Sequence, residues 1–207
     1  KRLLFDLGIG SIEFFGLILA VFIAVTLILE EIESRSVYLI LSRPLSRSEY
    51  LFGRFGGLIA TIAISVIGMG LIHISLLLFK GWEFQFKYLF LLVLTIEKIA
   101  LISSLALFFS LFSTSPASSI VFTLFFWVLG HFSMEMKFLS DRLVTGFMII
   151  IKTAYYLIPN LQYFNLRDQW ALPSFSLDVI GWATLYATVY ILATLALSVI
   201  LLKRKEF

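Results

Sequence analysis

Long apolar runs constrain this chain more than any other feature of its sequence. Five stretches each have about the length that an α-helix needs to cross the hydrocarbon core of a bilayer, roughly 20 residues. They cover residues 12–29, 53–79, 89–112, 117–134 and 179–202. Because the bilayer core offers the backbone no water to bond with, such stretches must form helices. The sequence therefore predicts an all-α integral membrane protein, a single permease-like domain over residues 1–207 with about five transmembrane helices.

The composition agrees with a lipid environment. Hydrophobic residues make up 60% of the chain and charged residues 14%, against about 45–50% and about 25% in soluble proteins. A soluble enzyme is therefore excluded. Cysteine is absent, so thiolate metal sites and disulfides are excluded too, and no metal site is predicted. The chain also lacks the Gly-x-x-x-x-Gly-Lys-Ser/Thr phosphate loop, so it does not hydrolyse ATP by that route.

The basic residues predict the orientation. The loop between the first two spans, with the start of the second span, carries Arg35, Arg43, Arg47 and Arg54, and the chain ends in Lys203, Arg204 and Lys205. Since Lys and Arg collect on the cytoplasmic side, we expect both segments to be cytoplasmic in a multi-pass protein of the cell membrane. No basic run is interleaved with aromatic residues, so nucleic acid is not an expected partner. The chain opens with Lys1 rather than Met, and we expect a further span upstream, six in all.

The segment 135–177 is mixed in polarity and is predicted to be extracytoplasmic. Its apolar part, 144–157, is too short for a comfortable crossing, which favours a re-entrant or interfacial helix that could serve as a gate. Polar residues there and inside the third span are candidates for a pathway or gate. These candidates are Glu97, Lys98, Lys152, Pro159 and Asn160.

Glu97 and Lys98 are unusual because they lie within an apolar span. An ionised group at mid-bilayer costs about 2.5–3.5 kcal/mol on insertion scales, so such residues often line a pathway. Neighbouring positions on a helix point about 100° apart, so the two side chains should not pair with each other. The simpler interpretation, which we favour, is that both lie in the outer third of the membrane and that Lys98 extends to the headgroups.

The most informative stretch joins the first two spans: LILEEIESRSVYLILSRPLSRSEYLFGRFGG, residues 27–57. Residues 30–52 form a loop in which acidic residues precede a short apolar piece and several arginines. This pattern is typical of a short cytoplasmic helix held between two spans, which can dock on a soluble partner. An ordinary positively charged cytoplasmic loop is the alternative.

This stretch resembles the coupling-helix region of type-2 ABC transporter permeases, and most closely the group linked to multicopper-enzyme maturation and nitrous oxide reductase assembly. Further matches follow in the same order: Asp6-Leu7-Gly8, Phe112-Ser113-Thr114-Ser115-Pro116, Gly130-His131, Ile158-Pro159-Asn160-Leu161 and Phe164-Asn165. The resemblance implies an exporter-type permease subunit that works by alternating access as a dimer with a second copy or a homologue. It also implies cytoplasmic ATPase subunits that hold ATP and Mg, while this chain binds no cofactor. An extracytoplasmic partner protein is a further expectation.

Carried over residue by residue, the resemblance assigns the ATPase-coupling positions. The residues expected to anchor the coupling helix are Glu30, Glu31, Glu33, Ser34 and Arg35. Those expected to contact the ATPase are Tyr38, Leu41, Ser42, Arg43, Pro44, Ser46 and Arg47.

Two other functions compete with this interpretation. Glu30-Glu31-x-x-x-Arg35 matches the first motif of prenyl-endopeptidase-type intramembrane metalloproteases, but the Phe-x-x-x-His motif is met by neither His73 nor His131. A non-transporting membrane scaffold in a larger complex is the other alternative.

Some remaining patterns have structural explanations. A Cu(I) site at His131, Met134 and Met136 would suit the soft ligands, although Met is a common apolar filler. Glycines of the second span (Gly53, Gly56, Gly57, Gly68 and Gly70) predict close helix packing. Ser103, Ser104 and Ser110 are expected to bond to carbonyls of their own helix.

Overall fold

The computed structural model describes residues 2–33, 46–113, 115–140, 145–166 and 177–204. Within these ranges the protein consists of helices and contains no strand. The α-helices are α1 (Arg2–Glu33), α2 (Arg47–Phe79), α3 (Lys87–Phe112), α4 (Pro116–His131), α5 (Ser133–Ser140), α6 (Thr145–Leu157) and α7 (Leu177–Arg204), with a 3-10 helix at Leu161–Phe164.

Four of these helices are long and apolar enough to cross a bilayer: α1, α2, α3 and α7. Helices α4 and α5 together make a fifth crossing if the bent pair counts as one span. The predicted all-α integral membrane protein with about five spans is thus confirmed.

Helix α3 lies at the centre of the bundle. It packs against α1, α2, α4 and α7, and most of its residues are buried. Because it is covered on nearly every side, its sequence is apolar all round rather than on one face. The helices that surround α3 expose large side chains such as Phe22, Ile64 and Val189, as expected for surfaces that meet lipid.

The bundle has two chemically different ends. The basic end contains the C-terminus of α1, the N-terminus of α2, the α3–α4 connection and the C-terminus of α7. At this end the Ser119 hydroxyl of α4 donates to the Phe109 carbonyl of α3 at 3.2 Å. At the opposite end, α2 turns into α3 through Gly81, whose φ of +72° is left-handed and favours glycine.

Two predicted boundaries were wrong. The first helix begins at Arg2 rather than at residue 12, and Asp6 lies in its second turn, 3.6 Å from the Arg2 guanidinium. The fourth helix ends at His131, where the chain bends by 65° into α5, so Met134 lies beyond the bend. With 16 residues, α4 is about 24 Å long. It therefore falls short of the hydrocarbon core, about 30 Å thick.

Helix α6, of 13 residues, coincides with the predicted apolar piece at 144–157. It is about 20 Å long and is not one of the candidate spans. Its placement as a re-entrant or interfacial gate helix stays a prediction. The predicted coupling helix, residues 38–47, lies outside the described residues except for Ser46 and Arg47.

The serines of α3 and the glycines of α2 differ in how far the structure agrees with what the sequence predicted for them. Ser103, Ser104 and Ser110 each donate to a carbonyl of α3 at 2.7–2.8 Å, as expected. Among the α2 glycines only Gly70 is closely packed, against Leu92. A Cβ at the other four, Gly53, Gly56, Gly57 and Gly68, would meet nothing within 4 Å. Within the described residues these four glycines are not closely packed, because their face of α2 points away from the bundle, and their role in helix packing stays a prediction.

Candidate functional site

At the basic end, Glu31 holds α1 to α2. Its carboxylate accepts a hydrogen bond from the Tyr50 hydroxyl and forms an ion pair with Arg54. The Arg54 guanidinium also lies over the Tyr50 ring, 5.7 Å from its centroid, within the range of a cation–π contact. We call these three residues the Glu31 clamp. The clamp ties together the two helices that flank residues 34–45.

The start of α2 is fixed by a capping box. The Ser46 hydroxyl accepts from the Glu49 backbone N–H at 3.2 Å, and the Glu49 carboxylate accepts from the Ser46 backbone N–H at 2.7 Å. The pattern Ser-x-x-Glu satisfies two backbone donors that the first turn would leave unpaired. Helix α2 is therefore held rigidly right up to the predicted coupling segment.

Arg47 connects the start of α2 to the end of α7. Its guanidinium donates to the Leu202 carbonyl, next to Lys203 and Arg204. The two basic segments therefore share one end of the bundle, as the predicted orientation requires. Of the predicted coupling residues, the structure describes Glu30, Glu31, Glu33, Ser46 and Arg47. The others, Ser34, Arg35, Tyr38, Leu41, Ser42, Arg43 and Pro44, lie outside the described residues, and the coupling role of the whole set stays a prediction.

A second polar cluster lies inside the membrane-spanning part, between α1, α3 and α4. The Lys98 ammonium of α3 is 2.5 Å from the Glu13 carboxylate of α1 and 2.8 Å from Nε2 of His131 at the end of α4. The same His131 nitrogen is 3.5 Å from the Glu13 carboxylate. We call Glu13, Lys98 and His131 the charge cluster. It joins three helices through side chains that are remote from one another in the sequence.

The hydrogen bonds define the His131 tautomer. Nδ1 of His131 is 2.9 Å from the Trp127 carbonyl, which can only accept, so Nδ1 carries a proton. In a neutral ring Nε2 is then the acceptor, and it accepts from the Lys98 ammonium. With the ring neutral, the Glu13 carboxylate and the Lys98 ammonium cancel in charge.

Lys98 does not extend to the headgroups, and that expectation was wrong. The residue is 5% exposed and lies eleven positions into α3, about 16 Å along the helix from its first residue. A partner inside the bundle replaces the headgroups. Glu97 points elsewhere, as expected for a neighbouring helix position, and accepts from Thr184 of α7 at 2.9 Å.

The segment that follows α6, residues 158–164, packs against the end of α4, which carries His131. A Cβ at Gly130 would lie 2.7 Å from the Pro159 carbonyl, so glycine is needed for this close approach. The Gln162 side chain donates to the His131 carbonyl at 2.6 Å. The Asn160 side chain accepts from Ser133 at 2.7 Å.

Two of the pathway or gate candidates, Pro159 and Asn160, thus lie beside the end of α4. Lys152 is exposed on α6, apart from the charge cluster. The pathway or gate role of all five candidates stays a prediction.

Two cavities open at this end of the bundle. The first, of about 280 Å³, is lined by the charge cluster together with Gly10, Phe14, Trp127 and Asn165. The second, of about 540 Å³, shares Asn165 and is lined mainly by aromatic and apolar side chains, including Met134, Tyr163, Trp182 and Tyr186. A polar pocket thus adjoins a larger, mostly apolar one.

The same geometry bears on the metal and protease alternatives. Both ring nitrogens of His131 are engaged, by Lys98 and Trp127, which argues against Cu(I) binding through this residue. The other histidine, His73, lies 3.3 Å from the Leu4 carbonyl at the end opposite Glu31. Neither histidine is placed to activate water with Glu31, so the protease alternative gains no support.

Three residues of these clusters were not among the site residues predicted from the sequence. Glu13 is a carboxylate inside an apolar run, the same signal that singled out Glu97 and Lys98. Arg54 and Tyr50 follow the coupling segment by a few residues and were counted only toward charge and helix boundaries. Their roles depend on the antiparallel packing of α1 on α2, which the sequence alone does not specify.

The fold and these clusters define a multi-pass helical membrane protein with a charged group of residues buried between its spans, a combination typical of transport proteins. A family model described as ABC-2 family transporter protein matches residues 6–207. The chain therefore belongs to this family, as the permease subunit of an ABC transporter. A search of curated proteins finds no match. The narrower resemblance to the multicopper-enzyme-maturation group stays a prediction.

Proposed function

We propose that this chain is the membrane subunit of an exporter-type ABC transporter and works by alternating access in a dimer of permease subunits. Separate cytoplasmic ATPase subunits bind ATP and Mg and supply the energy. The basic end of the bundle faces the cytoplasm, with the C-terminus on that side, and the membrane is the cell membrane.

The observation that carries this proposal is the Glu31 clamp. Residues 34–45 leave α1 and return to α2, and the clamp joins these helices immediately beside that segment. A displacement of the segment by an ATPase is therefore passed to both helices together. Helix α1 in turn carries Glu13, so the displacement reaches the charge cluster within the membrane.

Site-specific cross-linking tests this function. Because the sequence contains no cysteine, each introduced cysteine is the single reactive thiol of this subunit. Arg43→Cys is expected to cross-link to a cysteine on the surface of the co-expressed ATPase, and the yield should change when ATP is added. Lys80→Cys, at the opposite end of the bundle, is the matched control and should give no cross-link. An ATPase that co-purifies but never cross-links to any position in 34–47 would contradict the proposal.

A further inference from the structure

The charge cluster calls for more than a structural explanation. Replacing a buried ion pair by apolar residues of similar volume is often neutral or stabilising, so the pair is not needed merely to hold helices together. Ionisable groups within spans commonly mark a binding site or pathway. Here the cluster lines an open cavity, and His131 is its most accessible member, with 29% of its side chain exposed against 6% for Lys98.

The neighbouring cavity indicates what kind of molecule would fit. It is about twice as large as the first, and Tyr163, Trp182 and Tyr186 supply apolar, flat surfaces. Asn165 lines both cavities, so they are neighbours, and we take one molecule to span the two. Such a molecule would have a polar headgroup and a larger apolar or aromatic body.

We propose that the two cavities bind an amphipathic molecule with an acidic headgroup, that Lys98 pairs with this headgroup, and that His131 takes up one proton as it binds. This inference rests on the proposed function in regarding the molecule as the transported substrate.

The position of His131 supplies the mechanism. While neutral, its Nε2 accepts from Lys98 at 2.8 Å. A proton on Nε2 turns this atom into a donor, which repels the ammonium and is attracted by the Glu13 carboxylate, 3.5 Å away. Nδ1 keeps its bond to Trp127. The ring thus changes partner from Lys98 to Glu13, and the Lys98 N–H that pointed at the ring becomes available to the headgroup.

Charge balance links the proton to the headgroup. Without ligand, the carboxylate of Glu13 and the ammonium of Lys98 cancel. An anionic headgroup alone would leave a net negative charge in a poorly solvated site, which is costly. One proton from bulk water, taken up on His131 through the cavity opening, restores neutrality.

The described groups on the other helices packed on α4 do not replace His131 as the group that takes up the proton. Among the described residues, the charged groups that face His131 are Glu13 from α1 and Lys98 from α3, and the 3-10 helix contributes the Gln162 amide. On α5, Glu135 is exposed and Lys137 lines a different cavity, with Tyr155 and Asn160.

Binding of a pyrene-labelled alkylsulfonate tests the inference, because a sulfonate keeps its charge at all pH values used. The complete permease–ATPase complex would be measured in nucleotide-free nanodiscs over about pH 5 to 8, the range in which imidazole changes charge. Saturable binding is expected to tighten toward low pH with a slope approaching about tenfold per pH unit, the limit for uptake of one proton. The corresponding pyrene-labelled alcohol should bind at least tenfold more weakly.

Variants separate the roles within the cluster. His131→Gln should keep binding but lose the pH slope, and the paired change Glu13→Gln with Lys98→Met should lose saturable binding. Lys98→Arg, which keeps the charge, should retain saturable binding that is weaker than in the wild type but stronger than in the paired variant, and this rescue separates a charge effect from misfolding. Lys80→Gln, at the same end of the bundle, is the control for surface charge and should change nothing.

Equal binding of the alcohol, an unchanged pH slope in His131→Gln, or unchanged binding in the paired variant would each overturn the inference. None of these outcomes depends on ATP or on the cross-link to the ATPase. A failure here is therefore distinguishable from a failure of the proposed function.

Discussion

The Lys98 ammonium lies 2.5 Å from the Glu13 carboxylate in the interior of the bundle, where both side chains are largely shielded. This pair joins the central helix α3 to α1, the helix that runs directly into the predicted coupling segment. Helix α1 thus connects the intramembrane cluster, through Glu13, to the basic end, and changes at either should be felt at the other.

Separate and combined replacement of the pair should differ sharply. Lys98→Met alone leaves the Glu13 carboxylate buried without its ammonium, and we expect a loss of about 3–5 kcal/mol in the free energy of unfolding. The paired change Glu13→Gln with Lys98→Met removes both charges and should recover most of that loss. Thermal unfolding of the purified complex measures both, and equal destabilisation by the single and paired variants would contradict the ion pair.

The glycines offer a second, internally controlled test. A Cβ at Gly8 would collide with the His73 imidazole. That ring cannot move aside easily, because it is held by Tyr88 at 2.7 Å and by the Leu4 carbonyl. Gly8→Ala should therefore destabilise the protein by about 1–3 kcal/mol, as overpacking does.

Gly57→Ala is the matched control, since a Cβ there meets nothing. Alanine is the better helix former by up to about 1 kcal/mol, so this variant should be as stable as the wild type or more so. A larger loss for Gly57→Ala than for Gly8→Ala would show that the packing of α1 on α2 is wrongly described. Both variants can be compared by the temperature at which the detergent-solubilised protein loses its monodisperse elution.

The contrast between these glycines shows where sequence reasoning stops. The apolar lengths of α2, α3 and α7 predicted the spans well, because the bilayer imposes helix length directly. Close packing at Gly8 and its absence at Gly57 could not be predicted, since both are glycines in apolar helices and only the position of α1 decides between them.

The charge cluster was out of reach of the sequence for the same reason. Glu13, Lys98 and His131 lie in three different helices, and their meeting depends on the way α1 and α4 pack on α3. The sequence did single out Lys98 as an unusual residue within a span. It could not supply the partner, and without one the headgroups were the natural expectation.

The buried hydrogen bond between His73 and Tyr88 should contribute to the end of the bundle opposite the basic residues. Nδ1 of His73 is 2.7 Å from the Tyr88 hydroxyl, and both residues are buried. Tyr88→Phe leaves that nitrogen unpaired, and we expect a cost of about 1–3 kcal/mol. Phe86→Tyr is a suitable comparison, because Phe86 is exposed and the added hydroxyl reaches solvent or headgroups. Thermal unfolding that ranks Phe86→Tyr below Tyr88→Phe would contradict a stabilising role for the bond.

The Glu31 clamp yields the sharpest prediction about coupling. Arg54→Met removes the ion pair with Glu31 and the contact over the Tyr50 ring, while leaving the capping box at Ser46 and Glu49 intact. Because α1 and α2 would no longer move together, we expect the complex to assemble and hydrolyse ATP. Transport per ATP hydrolysed should fall several-fold.

The measurement is the ratio of substrate transport to phosphate release in proteoliposomes, and Arg2→Met is the matched control. Arg2 lies at the opposite end of α1, where it pairs with Asp6 in an exposed contact of the kind that contributes little. A ratio that falls equally in both variants would indicate a general effect of lost charge. A ratio unchanged in Arg54→Met would show that the clamp is not needed for coupling. The two helices would then transmit the movement of the ATPase without the contact between Glu31 and Arg54.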